Sequence, residues 1–258
     1  MKLLGLKDKH ILITGASNGL GSVCAKALAE EKAHIVLMAR SGEKLDKIKE
    51  SCKDPEKHLS IAVDLTDMQK LQRSITKAKE FLRHIDVVLH VAGGGLGLRD
   101  PLLSSGDLIK LITLNLVVAA EINRLVVPEM VKRRRGNIVH VASIASSEAT
   151  GSVGYNTAKA ALAAYVRTLG REIAGSGVVV TGILPGSFYT QGNMWGNRWA
   201  NNPEMLERFI EEKLPRKFLG KADELVPMIL LLCSDAASMM GGCLVPIDAG
   251  EGMGYLTM

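Results

Sequence analysis

Short apolar runs alternate with longer amphipathic stretches from one end of the chain to the other. Seven of the runs are rich in Ile and Val and nearly continuous in hydrophobicity, as is typical of parallel strands covered by helices on both faces. These predicted strands are His10–Gly15, His34–Arg40, Leu59–Leu65, Asp86–Ala92, Asn137–Ser143, Val178–Leu184 and Leu244–Asp248. The alternation predicts an α/β fold with one doubly wound domain over residues 1–258.

The segment between Pro185 and Pro215 breaks this alternation. Two to six residues usually connect a strand and a helix, so a connection of about thirty residues is long. A short helix is predicted at Pro203–Lys213, with loops on either side. Because long loops after the carboxyl end of a strand commonly hold ligands, residues 186–215 are predicted to form a substrate lid.

Composition excludes several classes of protein. With 47% hydrophobic residues the chain is not predicted to be disordered, and its apolar runs are far shorter than the roughly 20 residues of a membrane-spanning helix. A formal charge of +5 over 258 residues does not by itself indicate nucleic-acid binding. No signal-peptide core follows the first residues, so we expect a cytoplasmic protein without membrane or nucleic-acid partners.

The four cysteines, Cys24, Cys52, Cys233 and Cys243, have neither C-x-x-C spacing nor His-rich surroundings. They are interpreted as reduced thiols, as expected in the cytoplasm. Neither a disulfide framework nor a metal site is predicted from them.

The turn after the first predicted strand carries Gly15, Gly19 and Gly21 in the segment T-G-A-S-N-G-L-G. Glycine lets the backbone turn tightly and approach a pyrophosphate, which the N-terminus of the following helix then stabilises. The pattern alone is a weak signal. Its place between a strand and a helix is the context that a dinucleotide-binding turn requires, so we predict such a site here.

The second predicted strand ends in Ala39 and Arg40, where an NAD-selective protein usually has an acidic residue. An arginine can pair with the 2′-phosphate of NADP(H) and stack on adenine. NADP(H) is therefore the predicted cofactor, and NAD(H) is the alternative. A solvated arginine without a role is the simpler interpretation of Arg40.

Tyr155 and Lys159 are spaced to lie on one face of a helix. Acid–base chemistry near neutral pH requires the phenol pKa to fall by roughly three units, and a neighbouring ammonium supplies part of that. Ser143, twelve residues before Tyr155, ends the fifth predicted strand, where its hydroxyl would hold a substrate carbonyl. Each residue alone is unremarkable, and their combination predicts a catalytic group.

These motifs, in this order, resemble the short-chain dehydrogenase/reductase family from about residue 6 to residue 250. The resemblance is carried by Thr14–Gly21, Asp64, Ala92, Gly93, Asn115, Ser143, Tyr155, Lys159, Pro185, Gly186 and Thr190. It implies a Rossmann-type fold with a seven-stranded parallel sheet, a nicotinamide cofactor, and hydride transfer between a ketone and a secondary alcohol.

The resemblance also implies a role for each matching residue. Tyr155 would be the general acid, Ser143 would orient the carbonyl, and Lys159 would lower the tyrosine pKa and bind the nicotinamide ribose. Asn115 would hold a water that passes protons to Lys159. The implied cofactor-binding residues are Gly15, Ser17, Asn18, Gly19, Leu20, Gly21, Arg40, Asp64, Leu65, Ala92, Gly93, Tyr155, Lys159, Pro185, Gly186, Phe188 and Thr190.

Two positions depart from the family pattern. His90 stands where the family usually has the first Asn of N-x-A-G, and the segment 248–250 reads D-A-G in place of D-G-G. His90 is interpreted as filling the structural place of that Asn. Neither departure touches the catalytic residues.

The predicted lid holds Phe188, Tyr189, Trp195 and Trp199, which are four of the ten aromatic residues of the chain. Aromatic faces beside Asn side chains and Arg198 suit a polar ketone such as a sugar. Trp195 and Trp199 are therefore predicted to contact the substrate together with Ser143 and Tyr155. Packing within the lid or against another subunit explains the rings equally well.

The basic run Lys132–Arg135 ends a predicted long helix, where cations favourably meet the helix dipole. It would also suit an acidic carrier protein, with Arg171 nearby, so a 3-oxoacyl-[acyl-carrier-protein] reductase is the alternative function. A nucleotide-sugar epimerase would need a larger C-terminal region and a different glycine spacing. A non-catalytic cofactor-binding regulator would be expected to have lost a catalytic residue.

Family members commonly form homotetramers, so the resemblance implies a homotetramer or a homodimer. The predicted helices at 104–133 and 153–174 have more apolar surface than one sheet needs. The residues assigned to these faces are Leu116, Val117, Ala160, Ala161, Ala164 and Val166.

Overall fold

All seven predicted strands lie in one parallel sheet, in which the third, second, first, fourth, fifth, sixth and seventh along the chain are neighbours in that order. The structure is a computed structural model and describes residues 4–190, 195–196 and 201–254. The sheet strands are β1 His10–Thr14, β2 His34–Ala39, β3 His58–Ala62, β4 Val87–His90, β5 Gly136–Val141, β6 Val178–Pro185 and β9 Leu244–Ile247. A separate two-stranded sheet pairs β7 Phe188–Tyr189 with β8 Gly220–Lys221.

Helices cover both faces of the main sheet. They are α1 Gly19–Glu30, α2 Gly42–Glu50, α3 Met68–Leu82, α4 Ser105–Ile112, α5 Val118–Arg133, α6 Val153–Glu172, α7 Pro203–Lys213 and α8 Ala222–Leu232. Ile11 and Ile13 pack with α1 and α8, while Leu12 packs with α3, α5 and α6 on the opposite side. Successive strand residues point to opposite faces, so a strand covered on both sides is apolar throughout.

Helices α4 and α5 form one long helix that contains a π-helical turn at Thr113–Val117. By length and composition alone, Ser105–Arg133 could cross a membrane, and it is the one such helix in the part of the chain described here. In this fold Ile122, Val126 and Met130 of α5 are buried in the core. The helix is therefore a core helix that leaves its other side exposed.

The predicted elements match the structure closely. Each strand is confirmed with its ends within three residues of the prediction, and the short helix is confirmed at Pro203–Lys213. The assignment of Val166 to an unpartnered face is wrong, because this side chain is buried against the sheet. Arg198 and Trp199 lie outside the described residues.

The basic run has local partners. Arg133 Nη1 donates to Asp86 Oδ1 at 2.9 Å, and Arg135 Nη2 donates to Asp235 Oδ2 at 2.7 Å. Lys132 and Arg133 occupy the last turn of α5, where they also meet the helix dipole. Two of the four cations are thus part of the fold's own ion pairs.

Candidate functional site

The glycine turn between β1 and α1 brings backbone segments closer together than side chains would allow. Gly15 and Gly19 have φ of +70° and +59°, which favours glycine. A Cβ on Gly15 would stand 2.8 Å from Ala92 N, and one on Gly21 would stand 2.3 Å from Gly15 O. The glycines therefore hold β1, α1 and the loop after β4 in close contact around an open turn.

Helix α1 presents its N-terminus to this turn. The Asn18 side chain caps the helix by accepting from Gly19 N at 2.8 Å, and the first turn has no acidic residue. Ser17 is partly buried beside it, and Leu20 is buried underneath. The partial positive charge of the helix end is thus left available for an anion such as a pyrophosphate.

The turn lies at the point where the strand order reverses, between β1 and β4, which is where ligands bind in open α/β sheets. Thr14 Oγ1 accepts from Val91 N at 3.2 Å and from Ala92 N at 3.3 Å. These bonds fix the loop after β4 against the end of β1. A Cβ on the adjoining Gly93 would stand 2.8 Å from Asn115 Oδ1 and 3.3 Å from Lys159 Nζ.

Tyr155 lies in the first turn of α6 and is partly buried. Burial raises the pKa of its phenol, and a hydrogen bond with Ser143 opposes that shift. Ser143 follows β5 and caps a short 3₁₀ turn, its hydroxyl accepting from Ala145 N at 3.1 Å. The predicted pair of hydroxyls is therefore assembled at the carboxyl end of β5.

Lys159 is buried one helical turn beyond Tyr155, with its Nζ 5.7 Å from the centroid of the tyrosine ring. Its Nζ donates to Val141 O at 2.9 Å. Burial lowers the pKa of this ammonium to about 8. The expected lowering of the Tyr155 pKa by Lys159 is not seen here, because burial of the phenol is the largest influence and acts in the opposite direction.

Asn115 lies in the π-helical turn and is buried. Its Oδ1 accepts from Gly94 N at 2.9 Å, while its Nδ2 donates to Gly94 O at 3.0 Å and to Leu111 O at 2.9 Å. The amide is thus committed to the main chain and positions the loop after β4. Its Oδ1 faces the same side of Gly93 as Lys159 Nζ, so a water between them remains a proposal.

Arg40 is exposed at the end of β2, and no ion pair involves it among the described residues. Asp64 Oδ1 accepts from Thr66 N at 2.9 Å and from Thr66 Oγ1 at 2.7 Å. These bonds lower the pKa of Asp64, and the positive charge of Arg40 acts in the same direction. The predicted adenosine-binding residues therefore lie together, with Leu65 buried beside them.

The far side of the cleft is formed after β6, which ends at Pro185. A Cβ on Gly186 would meet Glu251 Oε2 at 2.6 Å and Asp248 Cβ at 2.8 Å. Phe188 is partly buried, and Thr190 is buried. The Thr190 methyl would stand 3.4 Å from a Cβ on Gly19, so the two walls of the cleft approach each other here.

The two tryptophans predicted to contact the substrate from the lid differ in what the structure shows of them. Trp195 packs on Phe209 with ring centroids 4.3 Å apart, beside a small core of Leu206, Leu214 and Leu219. This contact favours the packing interpretation of Trp195 over direct substrate contact. Trp199 lies outside the described residues.

The segment Asp248–Gly254, here called the C-terminal strap, was missed as part of the site. Glu148, in the loop after Ser143, accepts from Met253 N at 3.0 Å and from Gly254 N at 3.1 Å. Glu251 Oε1 accepts from Ser187 Oγ at 2.8 Å. The strap therefore ties the loop that carries Ser143 to the loop that follows Gly186, through contacts that no local sequence pattern encodes.

A second buried polar group lies behind the residues predicted to be catalytic. His90 and His140, here called the histidine pair, stack with ring centroids 4.5 Å apart. His90 Nε2 hydrogen-bonds to Asn123 Oδ1 at 2.9 Å, and Asn123 Nδ2 donates to Tyr165 OH at 3.1 Å. Burial lowers the pKa of His90 to about 4. The structural interpretation of His90 thus accords with its surroundings.

Comparison with known proteins bears on this geometry. The family model described as short chain dehydrogenase matches residues 9–201. The chain is 30% identical over 250 residues to a 3-oxoacyl-[acyl-carrier-protein] reductase of Thermotoga maritima, covering 95% of this chain and 98% of that protein. It is 28% identical over 252 residues to a gluconate 5-dehydrogenase of Gluconobacter oxydans, covering 96% of each.

A solved structure is similar along nearly its whole length. It is a 3-oxoacyl (acyl-carrier-protein) reductase of Agrobacterium tumefaciens with NADP bound. The TM-score is 0.86 at 25% identity, with 95% of each chain covered.

Proposed function

Because the chain belongs to the short-chain dehydrogenase family and is an oxidoreductase of alcohol and keto groups, we propose that it interconverts a polar ketone and a secondary alcohol with NADP(H) as preferred cofactor. The observation that carries this proposal is the placement of Ser143, Tyr155 and Lys159 beside the glycine turn, at the point where the strand order reverses.

The residues present fit a nicotinamide dinucleotide. Gly15 and Gly21 let the backbone of the turn pack tightly, a Cβ on Gly19 would have only the Thr190 methyl near it at 3.4 Å, and the helix end beside the turn favours a pyrophosphate. Arg40 and Asp64 would hold the adenosine end, and Lys159 and Thr190 the nicotinamide end. When bound, the cofactor supplies or accepts the hydride.

Tyr155 is the proposed general acid of the reduction. Its raised pKa keeps the phenol protonated at neutral pH, so it can give its proton to the substrate oxygen. Ser143 would hold the same oxygen by a hydrogen bond. The buried Lys159 ammonium, 5.7 Å from the tyrosine ring, would stabilise the phenolate that remains after the transfer.

The NADP(H) preference rests on Arg40. The Arg40 side chain is exposed, its positive charge helps to lower the pKa of Asp64, and it forms no ion pair within the described residues. Replacing Arg40 with Asp should shift the ratio of kcat/KM for NADPH over NADH toward NADH. Steady-state kinetics with both cofactors measures this ratio, and an unchanged ratio would remove Arg40 from the proposal.

Two substrate classes compete. A polar ketone such as a sugar accords with the similarity to gluconate 5-dehydrogenase, whereas the similarity to 3-oxoacyl-[acyl-carrier-protein] reductases favours an acyl thioester. Docking of an acidic carrier on the basic run is weakened because Arg133 and Arg135 are already paired with Asp86 and Asp235. We therefore place the polar ketone first.

A panel assay separates these classes. NADPH oxidation would be followed with ketosugars, 3-oxoacyl thioesters and small diketones at equal concentration. The highest kcat/KM is expected with a ketosugar, and a preference for a carrier-linked thioester would replace the first proposal with the second. Any activity must be lost in Tyr155→Phe, since otherwise a different mechanism or a contaminating enzyme is responsible.

Self-association is a further part of the proposal. Ala160 and Ala164 of α6 and Val117 of the long helix are exposed, and Ile109 is 64% exposed. Small and apolar side chains on two long helices permit close contact with the helices of a second copy. We propose a homotetramer or homodimer through these faces, and a monomer in sedimentation equilibrium would reject it.

The cytoplasmic location also remains a proposal. All four cysteines are free thiols, and three of them are buried. Free thiols are usual in a reducing compartment. A location assay with a tagged protein would test this.

A further inference from the structure

The amino-terminal edge of the sheet, opposite the cleft, gathers three histidines from distant parts of the chain. His10 begins β1 and is the register partner of His34, which begins β2. His84 shortly precedes β4, on the other side of β1. The His10 ring lies 4.4 Å from that of His84 and 5.3 Å from that of His34, centroid to centroid.

Two of these imidazoles and one carboxylate have the spacing of a metal site. His10, His84 and Asp86 each offer a ligand atom, and the three atoms lie within 4.8 Å of one another. His84 Nε2 and Asp86 Oδ1 are 3.4 Å apart. Tetrahedral zinc with bonds of about 2.0 Å separates its ligand atoms by roughly 3.3 Å, so this pair already has the required spacing.

His10 has an unpaired nitrogen at this place. Its Nδ1 is buried and has no hydrogen-bond partner among the described residues. Neutral imidazole nitrogens are common ligands of metal ions, so this unpaired Nδ1 is a candidate ligand atom.

Asp86 is held in place by its neighbours. Its Oδ2 accepts from His10 N at 3.0 Å, and its Oδ1 accepts from Arg133 Nη1 at 2.9 Å. A carboxylate offers about four lone-pair sites, so two remain for a cation. The positive charge of Arg133 repels a cation, so we expect moderate affinity. The two hydrogen bonds from His10 and Arg133 fix the orientation of the carboxylate, as hydrogen bonds to ligating carboxylates do in other metal sites.

We propose that His10, His84 and Asp86 form a binding site for a divalent cation of the zinc class, with the fourth position open to water. Two imidazoles with one carboxylate favour zinc, cobalt, nickel or copper over calcium and magnesium. The His84 side chain is 37% exposed, which gives the ion a path from solvent. The ion would join β1 to the turn before β4, and the proposal is independent of the redox function at the other edge of the sheet.

Zinc titration of the chelator-treated full chain tests this site. We expect one Zn²⁺ per chain by calorimetry and a rise in Tm that a chelator reverses, because an ion that binds only the folded state stabilises it. Co²⁺ should give the visible absorption of a tetrahedral site with nitrogen and oxygen ligands. His84→Gln should weaken Zn²⁺ binding at least about tenfold and remove the Co²⁺ absorption.

The matched control is His34→Gln, which removes an imidazole from the same edge without removing a proposed ligand. This variant should bind Zn²⁺ as the unmodified chain does. Equal binding by the unmodified chain and His84→Gln would show an adventitious ion and overturn the proposal. Loss of binding in His34→Gln with retention in His84→Gln would overturn the ligand assignment, and so would a wild-type chain that gives no Co²⁺ absorption.

Discussion

Two buried polar groups lie close together in this molecule and differ in their access to the cleft. The proposed catalytic group contains Lys159, which is buried with its Nζ close to Gly93, at the carboxyl end of β5. The histidine pair is sealed inside, with His140 fully buried and its Nδ1 unpaired. Burial lowers the pKa of both Lys159 and His90, since it disfavours the charged form.

The difference lies in how far the pKa falls. Lys159, with a pKa of about 8, still carries its proton at neutral pH. His90, with a pKa of about 4, does not. Similar burial therefore leaves Lys159 charged, as its proposed role requires, and His90 neutral, because lysine starts from a much higher pKa than histidine.

Replacing Lys159 with Met should separate activity from stability most strongly. Turnover should fall by a factor of about 10² or more, because the positive charge beside Tyr155 is lost. The folded state of the variant should be more stable than that of the unmodified chain. The unfolded chain binds a proton at lysine up to pH 10.5 and the folded chain only up to about 8, so the buried charge costs up to about 3 kcal/mol at pH 7.

The measurement is Tm against pH for both proteins. The unmodified chain should gain stability as pH rises from 8 to 10.5, whereas Lys159→Met should not gain it. The Tm advantage of the variant should therefore shrink across this window. Parallel Tm curves would mean that Lys159 is not a costly buried ammonium.

Replacing His90 with Asn should make the protein less sensitive to acid. The unfolded imidazole takes up a proton near pH 6.5 and the buried one only near 4, so the unmodified chain loses up to about 3 kcal/mol as pH falls through this window. His140 shifts in the same direction and adds to the loss.

Urea unfolding at several pH values between 7 and 4 measures this effect. The free energy of unfolding should fall less steeply in His90→Asn than in the unmodified chain. His34→Gln is the control, since its imidazole is one-third exposed at the opposite edge of the sheet. An equally steep fall in His90→Asn would place the acid sensitivity in other groups.

Replacing Glu148 with Gln should loosen the C-terminal strap. The group that accepts hydrogen bonds from Met253 N and Gly254 N would lose its negative charge. Hydrogen bonds to a charged group contribute roughly 1.5–3 kcal/mol, more than those to a neutral group. We expect KM for the ketone to rise several-fold while kcat stays within about twofold. A lowered kcat with unchanged KM would give Glu148 a role in the chemistry instead.

The strands and the shared helix face of Tyr155 and Lys159 could be predicted because their signals are local. A strand buried on both faces, such as β1, must be apolar at every position, and Tyr155 and Lys159 share a helix face by their spacing alone. The glycine turn could be read for the same reason, since each glycine leaves room for a neighbour only a few residues away or on the next strand.

The remaining features depend on contacts between distant residues. Glu148 meets Gly254 and Glu251 meets Ser187 only because β5, β6 and β9 are neighbours in the sheet. The clustering of His10, His34 and His84 at the amino-terminal edge of the sheet could not be predicted for the same reason. The direction of the Tyr155 pKa shift depends on burial, which the spacing of two residues does not report.

The most direct test of the central claim is pre-steady-state NADPH oxidation by Tyr155→Phe. Phenylalanine keeps the ring and removes only the hydroxyl that would donate the proton. The hydride-transfer rate should fall by a factor of about 10² to 10⁴, with the NADPH dissociation constant within about twofold of the unmodified chain. A rate retained within about twofold would contradict the assignment of Tyr155 as general acid.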